Sequence, residues 1–305
     1  MGGGSWTRDA YVNYASTTIS GKKTSEVFRS RSVASGWNVK DVLIRESRDS
    51  EEHPNSVPIV IGLDVTGSMG IIPDNLVRDG LPRLMDMLMN PNSSAAPIVT
   101  DPQVMCVGIG DVRFDSSPIQ ASQFESDVRI VKQLTELFIE RGGGGNQTES
   151  YDMAWLFAGG YTATDAWDKR RKKGYCFTVG DELPPTVNDT NTGVSLEKRL
   201  IERHLTGIQV DMTAEAALSL AQEKYAVFHL VIEQGRGMDH IGRDRVISEW
   251  KELLGNNAVL VNDYTKLPEV ISSVIRVCEG QAVDDVVESF RGTDSYETVK
   301  RALTA

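Results

Sequence analysis

The chain is short of cysteine, of histidine and of positive charge: among 305 residues there are 3 Cys, 4 His, and 32 Lys plus Arg against 43 Asp plus Glu. Each shortage excludes something. Cys106, Cys176 and Cys278 are odd in number, far apart and set in apolar stretches. They are expected to be buried free thiols in a reducing, cytoplasmic compartment and not a disulfide framework. His53, His204, His229 and His240 contain no i, i+4 pair, so a zinc centre has no support and ordinary core or surface roles are expected. A net charge of −11 sets an unfavourable field against polyphosphates, which makes nucleic acid an unlikely partner. No apolar run approaches the roughly 20 residues of a membrane span, and the first residues lack the charged-then-apolar order of an export signal. The opening Met-Gly-Gly-Gly-Ser-Trp fails as a myristoylation site because Trp6 stands where Ser or Thr is needed. The glycine run Gly142 to Gly145 has no Gly-Lys-Ser/Thr after it, which excludes a phosphate loop, and Gly67-Ser68-Met69 lacks the second glycine of a nucleophile elbow.

What is present is an α/β pattern. At 40% hydrophobic the chain has the material for one full core. Continuous apolar runs, as strands buried on both faces require, occur at Val57 to Leu63, Val104 to Ile109, Tyr175 to Val179, Tyr225 to Ile232 and Ala258 to Val261. Between them lie helical periodicities at Leu76 to Leu88, Val128 to Ile139, Ser150 to Phe157, Ala214 to Leu220, Ile241 to Leu254 and Pro268 to Val277. The alternation predicts a parallel sheet with helices on both faces and ligands gathered beyond the carboxyl ends of its strands. Residues 1–55 read as a polar arm laid over the domain, 56–280 as the domain, and 281–305 as a solvated tail with one helix around Val283 to Phe290. The basic run Lys169 to Lys173 reads as cations at a helix C-terminus that complement its dipole.

The first strand ends on Asp64-Val65-Thr66-Gly67-Ser68, which offers a carboxylate and two hydroxyls at alternate positions of a tight loop. Hard oxygen donors in that number suit Mg²⁺, Mn²⁺ or Ca²⁺; the plainer alternative is a turn that caps the next helix. Two further loops carry acids. One is Gly142 to Glu149, leading into the helix at Ser150; the other is Phe177-Thr178-Val179-Gly180-Asp181-Glu182, after a later strand. Gly110-Asp111-Val112-Arg113-Phe114-Asp115 follows the second long strand and reads as a solvated turn, with Asp111 a possible outer acceptor.

This pattern resembles the von Willebrand factor A family over roughly residues 56–280. Its Asp-x-Ser/Thr-x-Ser loop, the metal-ion-dependent adhesion site, follows a buried first strand. Stand-alone bacterial and phage sequences of this kind look similar over the whole chain, including Arg45-Glu46-Ser47-Arg48-Asp49-Ser50. The resemblance implies a doubly wound, mainly parallel six-stranded sheet and one divalent cation held by Asp64, Thr66 and Ser68, with further ligands from the two later loops. In the first of these the family's threonine slot, counted back from Ala154, falls on Glu149 with Thr148 beside it, so both stay candidates; Glu149 alternatively only favours the helix N-terminus. In the second the family's Asp-Gly order is reversed, leaving Asp181 as the counterpart and Glu182 as fallback. The implied role is a non-catalytic protein-interaction or assembly module whose ion receives an acidic residue of a protein partner. The competing reading, a Mg²⁺-dependent phosphohydrolase of haloacid dehalogenase-like type, needs a second Asp two residues after the nucleophile. Thr66 stands there instead, and the leaving group would go unprotonated.

Overall fold

The computed structural model describes residues 4–65, 69–89, 97–111, 115, 117–139, 148–186 and 213–305. Its strands are β1 (Arg45–Ser47), β2 (Ser56–Asp64), β3 (Asp101–Ile109), β4 (Ile119–Ala121), β5 (Thr162–Thr164), β6 (Gly174–Gly180), β7 (Tyr225–Ile232) and β8 (Ala258–Val261). Six of them form one sheet in the order β4-β3-β2-β6-β7-β8. All pairings in it are parallel except the antiparallel β3–β4 edge. The protein therefore has the doubly wound α/β architecture, with the strand order reversing beside β2. That switch point leaves a crevice beyond the carboxyl ends of β2, β3 and β6.

The apolar runs become strands because both faces of the sheet are covered. Along β2, Ile59, Ile61 and Leu63 join a core with the helices Leu81–Met89 and Leu267–Cys278. Val60 points the other way, into a core with Tyr151–Gly160, Ala214–Lys224 and Arg243–Leu254. Strand periodicity of two sorts the side chains between these layers. In the second layer Gly159 lets two helices touch, since a Cβ there would lie 2.7 Å from the backbone of Ala221.

Several segments depart from the sequence expectation. Helix Arg129–Leu134 stops short of Ile139 because Phe138 is drawn to the sheet edge, where its N–H and C=O bond the side chain of Gln120 in β4. The expected helix Ile241 to Leu254 is broken at Gly242, whose φ of 100° suits glycine and divides Arg236–Ile241 from Arg243–Leu254. The tail is not solvated: Val286, Val287 and Val299 are buried, the last on a second helix, Tyr296–Thr304. Cys106 and Cys176 are buried free thiols as expected, whereas Cys278, at the end of its helix, is exposed. No helix among the described residues is long and apolar enough to cross a membrane.

Segment 4–55 contributes to the first core layer through Trp6, Tyr11, Ile19, Phe28 and Trp37. Tyr11 repairs a flaw in the helical run Ile71–Met89. Pro82 has no N–H to give the carbonyl four residues back, and the Tyr11 hydroxyl donates to that carbonyl, on Arg78. Arg45 is fully buried and donates to the carbonyls of Gly36, Val42, Ala121 and Ser122, which ties β1 to the β4 edge. The basic run is spent internally: Lys169 pairs with Asp165, Arg170 with Asp49 and Lys172 with Glu279, and Lys173 bonds the Gln222 carbonyl.

Candidate metal centre

Asp64 is the last residue of β2 and is buried, 1% exposed. Thr66 and Ser68 lie outside the described residues. The chain leaving Asp64 is held to the neighbouring strand by Val65 N–H donating to the Ile109 carbonyl at 2.9 Å. Two residues beyond Ile109, Asp111 begins a tight turn in which its N–H donates to the Asp115 carboxylate (2.7 Å) and Asp115 N–H donates back to the Asp111 carbonyl (2.9 Å). Both carboxylates are buried, so this is an inward-facing acidic turn and not the solvated one expected. Gly110 is required there, because a Cβ would run into the Asp115 carboxylate.

Of the second loop, Gly142 to Gln147 lie outside the described residues, and its last residues are held beside these strand ends. Thr148 forms a parallel bridge with Leu183, and Ser150 N–H reaches the Gly110 carbonyl at 3.4 Å. Glu149 thereby points into the rim, 4% exposed, and among the described residues its Oε2 has no hydrogen-bond partner. Burial holds its carboxyl well above the usual range, and Asp64, Glu182, Asp111 and Asp115 push it the same way.

After β6, Asp181 and Glu182 diverge. Asp181 is turned toward the turn after β7, where its Oδ2 accepts from Gly237 N–H at 2.6 Å and its Oδ1 is unpartnered among the described residues. Side chains at Gly235 or Gly237 would collide with it. Glu182 instead feels Asp64, Asp181 and Asp111; with burial as the largest cause, its carboxyl is pushed up to about 8. Glu182, the fallback in the sequence reading, is thus the acid whose charge is felt at Glu149 and that itself feels Asp64.

Behind the acids stands an aromatic floor that sequence reasoning did not single out. Tyr151, the first residue of the helix after Glu149, packs its hydroxyl against Gly180. Its ring meets His229 and Trp250 edge-on at 4.9 and 5.4 Å, and those two rings stack at 3.5 Å. His229 Nδ1 bonds Thr178 Oγ1 at 2.8 Å, and burial holds the imidazole well below its ordinary value, hence neutral. The floor is buried and uncharged, so nothing in it offsets the carboxylates. Among the described residues no three His, Cys, Asp or Glu side chains are grouped closely enough to hold a metal ion by themselves.

A Ser-His-Asp chain that the sequence did not disclose lies at the opposite end of the sheet: Ser126 Oγ to His53 Nε2 at 3.2 Å, and His53 Nδ1 to Asp101 at 3.3 Å. All three are buried, and Ser126 and His53 both bond the Gly4 carbonyl. The chain fastens the N-terminal segment.

No family model and no curated protein matches this sequence. Among solved structures, the chain is similar to proximal thread matrix protein 1 from the mussel byssus, with 13% identity, 73% of this chain and 48% of that chain covered, and a TM-score of 0.43. It is similar to the same mussel protein with a zinc-occupied MIDAS motif, at 14% identity, the same coverage of both chains and TM-score 0.43. The pilus adhesin SpaC from Lactobacillus rhamnosus GG is similar at 10% identity, with 81% of this chain and 32% of that chain covered and a TM-score of 0.46. The chain thus spans about half of the mussel protein and a third of the adhesin.

Proposed function

We propose that this protein is a divalent-cation-binding interaction module of the von Willebrand factor A kind, in which the cation sits at the switch point of the sheet and serves docking, not catalysis. The observation that carries the reading is the buried carboxylate cluster at the ends of β2, β3 and β6, in which Glu149 Oε2 is unpartnered among the described residues and Asp64, Glu182, Asp111 and Asp115 act on the Glu149 carboxyl. Several acids in one desolvated space repel one another strongly, and a hard dication with oxygen ligands relieves that repulsion directly. Asp64, with the hydroxyls of Thr66 and Ser68, is assigned as its centre; Thr148 or Glu149, and Asp181 or its neighbour Glu182, complete the set. The chemistry fits Mg²⁺, with Mn²⁺ and Ca²⁺ as alternatives. When bound, the ion offers a Lewis-acidic position to a carboxylate of a protein partner. The buried rings of Tyr151, His229 and Trp250 close the site on one side. The phosphohydrolase reading needs an Asp two residues after Asp64, and the sequence has Thr66 there. The three cysteines, free in the structure, support a reducing, cytoplasmic setting.

The test is thermal unfolding and calorimetry of the wild-type chain and Asp64→Ala in Mg²⁺ and in chelator. At a free concentration 100 times Kd, Mg²⁺ stabilises by about 2.7 kcal/mol, a shift of a few degrees in Tm. Asp64→Ala is expected to lose that shift and keep its circular dichroism. A wild type whose Tm and titration heat ignore Mg²⁺, Mn²⁺ and Ca²⁺ alike removes the reading.

A further inference from the structure

The arm and the rim of the sheet together form a groove of about 980 Å³ whose walls include Phe28, Arg29, Arg31, Gly70, Phe138 and Ile139. Its position and its charge both matter. Gly70, in the groove wall, lies two residues along the chain from Ser68, the last residue of the loop assigned to the cation. Phe28 is buried at its base, and Ile71, next after Gly70, is 53% exposed.

Among its described lining residues the groove carries two arginines and one acid, an excess of positive charge in a chain of net charge −11. Arg29 and Arg31 are exposed, and Arg29 Nε donates to the Glu26 carbonyl at 2.7 Å, a bond that leaves the outer guanidinium nitrogens to the groove. Neither arginine enters an ion pair among the described residues, whereas Arg8, Arg48, Arg78, Arg83, Arg129 and Arg170 all do. Glu26, an acid on the same wall, keeps its charge, and its carboxylate is held toward the backbone by Lys23 N–H at 2.7 Å. Two guanidinium groups without an ion pair among the described residues match carboxylates spaced along an extended chain, and Arg recognises carboxylates in bidentate geometry.

We propose that this groove is the docking surface for an acidic, extended segment of a partner protein, with Arg29 and Arg31 reading its carboxylates beside the cation. The proposal builds on the cation reading above but makes a separate claim, because the arginines attract such a segment whether or not the ion is present. It also supplies what the acidic rim lacks: the carboxylate cluster repels an anionic partner, and the arm brings compensating charge to its edge.

The experiment is fluorescence anisotropy of a fluorescein-labelled peptide of alternating Glu and Ala, with a Lys/Ala peptide of equal length as control. It is run at low salt on the full chain, on R29E/R31E and on R29Q/R31Q, each in Mg²⁺ and in chelator, with Mg²⁺ calorimetry on every variant. The wild type is expected to bind the acidic peptide and not the basic one. R29E/R31E is expected to weaken that binding about tenfold or more in both conditions, and R29Q/R31Q by less, with Mg²⁺ heats and circular dichroism unchanged. Wild-type affinity in R29E/R31E, equal binding of the two peptides, or no binding by the wild type overturns the proposal. If Mg²⁺ gives no heat while R29E/R31E still loses the acidic peptide, the cation reading fails and the groove stands.

Discussion

Thr148 and Glu149 are adjacent in the chain and meet opposite surroundings. Thr148 is half-buried in a bridge to Leu183, while Glu149 is sealed among Asp64, Glu182, Asp111 and Asp115. If the Glu149 carboxylate joins those of Asp64 and Asp181, the site carries about one net negative charge around its dication, where a threonine would leave it neutral. Such a site holds its ion more tightly and receives an incoming carboxylate less well, which is a reason for a partner to be held by surrounding surface. The expected result for Glu149→Thr is Mg²⁺ affinity weakened by about tenfold, roughly 1.4 kcal/mol, with the cation-free protein stabilised because a repelled buried acid has gone. Thr148→Ala should change Mg²⁺ affinity little. Calorimetry that ranks the two variants the other way makes Thr148 the ligand. The sequence disclosed Asp64 because an apolar run ends on it, and it disclosed the loop of Glu149 because glycines precede a helix. It did not disclose that Asp181 turns away: that orientation depends on Gly235 and Gly237, more than fifty positions later, pressing on one face of the Asp181 side chain.

The sheet strands of four or more residues were legible as apolar runs, and the boundaries of β7 and β8 coincide with the runs that announced them. The three-residue strands were not, because β1, β4 and β5 are too short to show a period. What holds β1 against β5 is polar. Arg48 and Lys169 pair with Asp165, whose carboxylate also accepts from Asp49 N–H at 3.0 Å. Burial raises the Asp165 pKa, but these partners outweigh it and bring the carboxyl down to about 2. A folded-state pKa below the unfolded value of 3.8 means stability that is present above that value and lost as pH falls through about 2. Asp165→Asn should therefore be less stable than wild type in urea at neutral pH, with the gap narrowing between about pH 4 and pH 2. A gap independent of pH would show that Asp165 matters for its shape alone. Arg45 gives a second test at the same edge. Arg45→Met leaves buried carbonyls of Ala121 and Ser122 unpaired, each costing about 1–3 kcal/mol. Arg45→Lys should restore only part, since an ammonium does not span the same carbonyls as a planar guanidinium. Full rescue by lysine would refute that geometry.

The arm, the sheet and the tail share one apolar interior, which the polar texture of residues 1–54 concealed: a few aromatics in a Gly- and Ser-rich segment carry no periodicity, yet each finds a place in the core. Trp37 is 1% exposed, with its Nε1 donating to the Gln133 carbonyl at 3.0 Å. The Trp6 indole donates to Asp86 at 2.8 Å, and His53 and Ser126 hold the Gly4 carbonyl. Because these contacts are spread over two helices and both ends of β2 and β3, the arm has no core of its own to retain when the sheet melts. The expectation is one cooperative transition, in which the burial of arm aromatics and the far-ultraviolet signal of the sheet are lost together. Thiols report the same event from inside the body: Cys278 should react with a thiol reagent in the native protein, and Cys106 and Cys176 only after unfolding. Trp37→Ala is expected to lower the single midpoint, by about 3–5 kcal/mol in free energy, and to release Cys106 and Cys176 at the same lower denaturant concentration. Should Trp37→Ala instead produce an early loss of arm fluorescence while the two buried thiols stay protected to the wild-type midpoint, the arm is a separable layer and not part of the cooperative core.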